Sequence, residues 1–176
     1  MIIPVITMRS FAEEKKTKTF RLLLSSPLPL REIVLGKFLA CMVVVTVMIL
    51  ISSYSIGFLF LLGEPELGPV ITGYAGVVLM AGCYVSVGVF ASSLTDNQIV
   101  AAVLTFGFSL FMWVIGWGAQ AAGATTGQVL QFLSIVDHME RFLKGIVDTS
   151  DLAYYLSFIL LNLFLCNRVL DSNRWR

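Results

Sequence analysis

One histidine, His138, is all the imidazole in this 176-residue chain. A nucleophile-histidine-acid arrangement or a histidine metal cluster therefore has almost nothing to draw on. Charge is also scarce. Lys, Arg, Asp and Glu make up 13% of the sequence, about half the share usual in a water-soluble domain. Such a chain cannot clothe itself in a polar surface. With 57% hydrophobic residues and a mean hydropathy of +0.88, its class is integral membrane protein. Its three cysteines, Cys41, Cys83 and Cys166, all sit in apolar runs. They read as small buried hydrophobes, not as a disulfide framework. No G-x-x-x-x-G-K-[ST] phosphate loop occurs: Gly36-Lys37 is followed by Phe38 and lacks the upstream glycine. The expectation is a non-enzyme without cofactor or metal, with any ATP hydrolysis left to another protein. Nucleic-acid binding is disfavoured too, since the basic stretch has no stacking surface.

Long charge-free runs are plentiful, and they mark the spans. Residues 38–62, 70–94, 99–119 and 152–170 each suit a membrane-crossing helix, with Arg168 snorkelling from the last. The first, at 1.5 Å per residue, reaches about 37 Å against roughly 30 Å of hydrocarbon. Residues 63–69 (GEPELGP) and 95–98 (TDNQ) are the turns. Residues 1–6, MIIPVI, are too short and too poor in basic residues for a signal peptide. They read as the last turns of a helix whose remainder is absent, so the expectation is a chain lacking N-terminal spans. The fold class expected is thus all-α. It is a polytopic membrane protein of four complete transmembrane helices plus the end of another, forming one domain over 1–176.

The remaining charge is unevenly spread. Seven of the twelve Lys and Arg residues lie in 9–37, which holds only three of the eleven acids, Glu13, Glu14 and Glu32. With four spans, 9–37, 95–98 and the C-terminal tail share one side and carry ten Lys and Arg; the other side carries two, Arg141 and Lys144. The positive-inside rule makes the first side cytoplasmic. Tyr74, Trp117, Tyr154 and Tyr155 fall near the outer ends of their spans, as interfacial aromatics do.

Residues 128–146 form an amphipathic pattern, with Val129, Phe132, Leu133, Val136, Met139, Leu143 and Ile146 at helical spacing. Four charged residues, together with His138, bar it from spanning. The expectation is a helix at the outer interface, or a short hairpin broken near Gly145, with His138 on its solvated polar face. Residues 148–151 (DTSD) supply cap residues for the last span. The spans hold no charged residue in their interior, which disfavours an ion-coupled carrier. They do hold Gly73, Gly76, Gly82, Ser86, Gly88 and Ser92 in the second, and Gly107, Gly116 and Gly118 in the third. These small residues predict close helix packing. Asn162, alone in the last span, predicts an interhelical hydrogen bond.

Pro27 and Pro29 split the basic stretch into a helical piece over about 10–24 and the start of the first span over 30–37. Read without further help, the first piece is a juxtamembrane helix on anionic lipid or a docking element. The sequence PVITMRSFAEEKKTKTFRLLLSSPLPLREIVLGKFLA resembles the first cytoplasmic loop of ABC type-2 transporter permeases, nearest the gliding-motility and nitrous-oxide-reductase-maturation branch. Thr7-Met8-Arg9, Glu13-Glu14-Lys15, Thr19, Leu22-Leu23-Leu24, Pro27 and Val34-Leu35-Gly36-Lys37 carry the likeness. HMERFLKGIVDTSDLAYY, Arg174 and Trp175 extend it. Lys18 replaces the family's glycine and Arg21 its glutamate.

The resemblance implies an exporter's permease subunit in a prokaryotic plasma membrane, paired with a second permease subunit and driven by a separate ABC ATPase. It also implies docking of that ATPase through Glu13, Glu14, Lys15, Lys16, Thr19, Leu22, Leu23 and Pro27. Glu32, Gly36 and Lys37 would open a rigid transmission helix over 30–62. The alternative expectation is a truncated permease, or a scaffold that recruits a cytoplasmic partner and moves nothing.

Overall fold

The computed structural model describes residues 2–17, 19, 29–63, 66–121 and 124–174. Among these every regular element is an α-helix. Two short pieces, α1 (Ile2–Thr7) and α2 (Ala12–Lys16), precede α3 (Leu30–Ser52) and α4 (Tyr54–Leu62). Then come α5 (Leu67–Leu94), α6 (Gln98–Ala121), the pair α7 (Ala124–Leu133) and α8 (Ile135–Leu143), and α9 (Thr149–Arg174).

Four helical stretches are long and apolar enough to cross a membrane: Leu30–Phe58, Leu67–Leu94, Gln98–Gly118 and Thr149–Ser172. The helices overrun the charge-free runs because a backbone hydrogen-bonded within itself continues into the interface, where Arg31, Glu32 and Asp171 are exposed. Ser53 interrupts the first stretch for one residue. Its N–H donates to the Ile49 and Leu50 carbonyls and its hydroxyl to the Leu50 carbonyl at 2.6 Å.

The centre is α5. Thirteen of its 28 residues are buried, against three of the 23 in α3. Small side chains are the reason. A Cβ on Gly88 would fall inside the Thr7 side chain of α1. One on Gly82 would come within 2.9 Å of Ile159 in α9. One on Gly76 would meet Met139 and Phe142 of α8 at 2.8 Å. Three neighbours thus reach the α5 backbone from three directions, the close approach that small residues allow inside a membrane. Gly116 of α6 plays the same part beneath Ser134, whereas Gly107 and Gly118 face open space.

Two clusters result. One, at the end bearing the basic stretch, joins Phe11, Val34, Cys41, Val85, Val89, Cys166 and Leu170. The other, at the opposite end, joins Cys83, Met112, Ile135, Met139, Phe142 and Tyr155. The outward sides of α3, α6 and α9 stay apolar and exposed, as at Leu39, Val43, Ile51, Val103, Trp117, Leu160 and Phe164. Those surfaces suit lipid contact.

The amphipathic segment is two helices. Ser134 breaks it, and its hydroxyl caps α8 by accepting from the Asp137 N–H at 3.2 Å. At the other end Gly145 adopts φ +81°. The Ile146 N–H bonds the Arg141 carbonyl at 3.0 Å and the Gly145 N–H bonds that of Phe142 at 3.1 Å, a Schellman cap. So the chain does break at Gly145, and again eleven residues earlier.

Candidate functional site

The basic stretch is held against the last turn of α5. Ser92 does most of the holding. Its hydroxyl oxygen accepts from the Phe11 and Ala12 N–H groups, each at 3.0 Å, and donates to the Met8 carbonyl at 3.1 Å. One side chain thereby bonds three main-chain groups at the entry to α2, in a buried setting. Ser92 and Phe11 are both fully buried.

Next along, the Lys15 ammonium donates to the Ser93 carbonyl at 2.6 Å and lies 3.9 Å from Asp96. A cation is well placed at a helix C-terminus, where unpaired carbonyls concentrate negative charge. Burial pulls the Lys15 ammonium below its ordinary range, and Asp96 works against that shift. Glu14 pairs with Lys37 of α3, whose ammonium also stands 6.0 Å from the centre of the Phe11 ring.

The candidate docking residues therefore divide. Glu14, Lys15 and Lys37 turn inward and brace α2 between α3 and α5. Glu13, Lys16 and Thr19 are exposed; Thr19 bonds back to the Glu14 carbonyl at 3.3 Å and to the Thr17 hydroxyl at 2.9 Å. Glu32 is exposed in the first turn of α3, and Gly36 has no neighbour within 4 Å of where its Cβ would stand. Leu22, Leu23 and Pro27, like Lys18 and Arg21, lie outside the described residues. Sequence reasoning took Ser92 only as a small packing residue and Thr7 only as part of the likeness, and it passed over Ser93 and Asp96. The available signal was the pair of hydroxyls closing an apolar span next to TDNQ.

A second polar cluster sits at the far end of α5. Here the structure corrects an expectation. His138 is not on a solvated face; it is 5% exposed. Its ring stacks on Tyr154 with centroids 4.2 Å apart. Nδ1 lies 2.6 Å from the carboxylate of Asp151, itself fully buried, and Nε2 lies 3.1 Å from the Phe132 carbonyl. Both ring nitrogens thus face acceptor oxygens. Arg141 adds a third contact, 3.3 Å from Asp151, and reaches Asp148 at 3.5 Å.

The cause is the facing helix. Asp151 needs buried donors, and α8 turns His138 towards it. Asp148 supplies the cap of α9, accepting from the Ser150 N–H at 3.1 Å, and that bond holds its carboxyl below the usual range. The Tyr154 hydroxyl donates to the Leu133 carbonyl at 2.7 Å and that of Tyr155 to the Ile135 carbonyl at 2.9 Å. These bonds clip the α7–α8 corner to α9. Asn162 bonds the Phe158 carbonyl of its own helix at 2.8 Å, where an interhelical partner was expected.

The arrangement is a central span gripped at both ends, with no metal-holding cluster among the described residues. A model of the family described as ABC-2 family transporter protein matches residues 1–167. The chain belongs to that family. It is a multi-pass membrane protein of the ABC-2 transporters, a class that supplies the membrane component of transport. No curated protein and no solved structure matches the chain. The braced segment at the Ser92 end is the candidate site.

Proposed function

We propose that this chain is a membrane permease subunit of an ABC exporter, with the basic-stretch end in the cytoplasm of a prokaryote and the α7–α8 hairpin outside. ATP would be hydrolysed by a separate ATPase subunit, and two permease subunits would form the pathway in the plasma membrane. The branch nearest its loop sequence is that of gliding motility and nitrous-oxide-reductase maturation. One observation carries this reading: α2 is fixed to the central span by Ser92 and Lys15 yet keeps Glu13 and Lys16 exposed. A contact surface that is to receive force needs such rigid backing and such free polar groups. The ten-to-two excess of Lys and Arg supports the orientation.

The test is co-expression with ABC ATPase subunits from the same genome, followed by copurification. The wild-type chain should carry the ATPase with it. The double charge reversal Glu13→Lys with Lys16→Glu should reduce recovered ATPase at least tenfold while membrane insertion is unchanged. An ATPase that copurifies equally with both chains removes α2 from the docking role. If none copurifies with the wild type, the scaffold reading gains and export is lost.

A further inference from the structure

We infer that α5, not the α3–α4 stretch, carries movement of the 7–17 segment to α8, and that Ser92 is the positioning residue that engages it; this rests on the export reading above. Start with what each helix can push. At its C-terminal end α5 holds the segment through the three Ser92 hydrogen bonds, the Lys15–Ser93 bond and the seat of Thr7 against Gly88. Sixteen residues towards its N-terminus lies Gly76, about 24 Å away at 1.5 Å per residue. There α8 rests on the bare helix backbone through Met139 and Phe142. One turn further, the Thr72 hydroxyl lies 2.8 Å from the Phe142 carbonyl, and Pro69 packs under Gly145. Close-packed helices transmit displacement because they compress little.

The α3 route is poorer at both ends. Its polar tie to α2 is Lys37–Glu14, which is partly exposed. Its buried residues are Val34, Cys41 and Val45. Beyond them the helix is exposed or half-buried and then irregular at Ser53. A push on α3 therefore meets lipid where a push on α5 meets α8.

The full chain, copurified with its ATPase in nanodiscs, is the test system. The ATPase carries a substitution that permits ATP binding without hydrolysis. Amide hydrogen exchange over 135–143 is read with and without ATP. The wild type and Val45→Ala, which loosens α3 in its core cluster, should each show at least a threefold ATP-dependent change there. In Ser92→Ala the change should fall below 1.5-fold while ATPase copurification persists, an outcome that mere weakening of the fold would not produce. Lys15→Met, which leaves the buried serine in place, should also diminish the response and serves if Ser92→Ala does not fold. A response that survives in Ser92→Ala and Lys15→Met, or vanishes in Val45→Ala, overturns the inference. A wild type silent at 135–143 also overturns it.

If no ATPase binds, the export reading fails separately, and the chain alone decides. Ser92→Ala or Lys15→Met should then speed exchange over 135–143 at least threefold, and Val45→Ala should not. Unchanged amides in both variants overturn the inference.

Discussion

A glycine can matter more than a charge in this molecule, and Gly88 is the clearest instance. Its missing side chain is the space that Thr7 occupies. Thr7 is fully buried and its hydroxyl bonds the Ile3 carbonyl at 2.9 Å, so it has little freedom to withdraw. Gly88→Ala should therefore destabilise the protein by about 1–3 kcal/mol, the usual range for overpacking. That cost should appear as a lower unfolding temperature in detergent. Adding Thr7→Ala should recover part of the loss, because it removes the Thr7 Oγ1 and Cγ2 atoms that the new methyl meets while the Thr7 Cβ stays in place. If Gly88→Ala melts like the wild type, α1 does not sit on α5 as described. Small residues in the span were visible in the sequence, and their packing role holds at Gly76, Gly82 and Gly88. Which neighbour each one admits was not visible, because that depends on the angle between helices that only the folded chain sets.

Among the elements, α8 shows where pattern reading stops. Its alternation of apolar and polar residues was legible as an amphipathic helix, and Gly145 as its end. The break at Ser134 was not, since a serine inside such a pattern fits a helix as well as a cap. Nor was the burial of His138. Periodicity puts a histidine flanked by Asp137 and Glu140 on the wet side. Asp151, thirteen residues later and inside α9, reverses that. Asp151 is the acceptor on which α8 and α9 converge, with His138 and Arg141 both within 3.3 Å. Asp151→Ala should cost about 1–3 kcal/mol, the range for leaving a buried hydrogen-bonding group without its partner. The stranded group would be the His138 ring. Asp151→Asn keeps an acceptor oxygen and should cost less. Limited proteolysis at 134–147 would check this, with cleavage faster in Asp151→Ala than in Asp151→Asn, and slowest in the wild type. Equal cleavage in all three would mean that the pair does not hold the hairpin.

At the scale of the whole molecule, the four spans were legible because an ion inside hydrocarbon is so costly that its absence over some twenty residues is itself a signal. The centrality of α5 was not, since its composition is hardly greasier than that of its neighbours. Its distinction is smallness, which lets α1, α8 and α9 close on it. The inward turn of Glu14 and Lys15 was hidden for a related reason: a charge cluster next to a membrane suggests a surface until its partners, Lys37 and Asp96, are placed. Orientation is the property that composition states most directly and that the fold leaves open. Ten Lys and Arg lie on the side of the Thr95–Asn97 turn and two on the side of the hairpin. Basic loops resist translocation, so the ten should remain inside. The native cysteines Cys41, Cys83 and Cys166 are all buried and should give little background. In whole cells a membrane-impermeant maleimide should therefore label Lys144→Cys at once and Asn97→Cys only after the membrane is opened. Both positions are exposed, so access depends on side and not on packing. The reverse labelling order would turn the molecule over and place α2 beyond the reach of any ATP-driven partner.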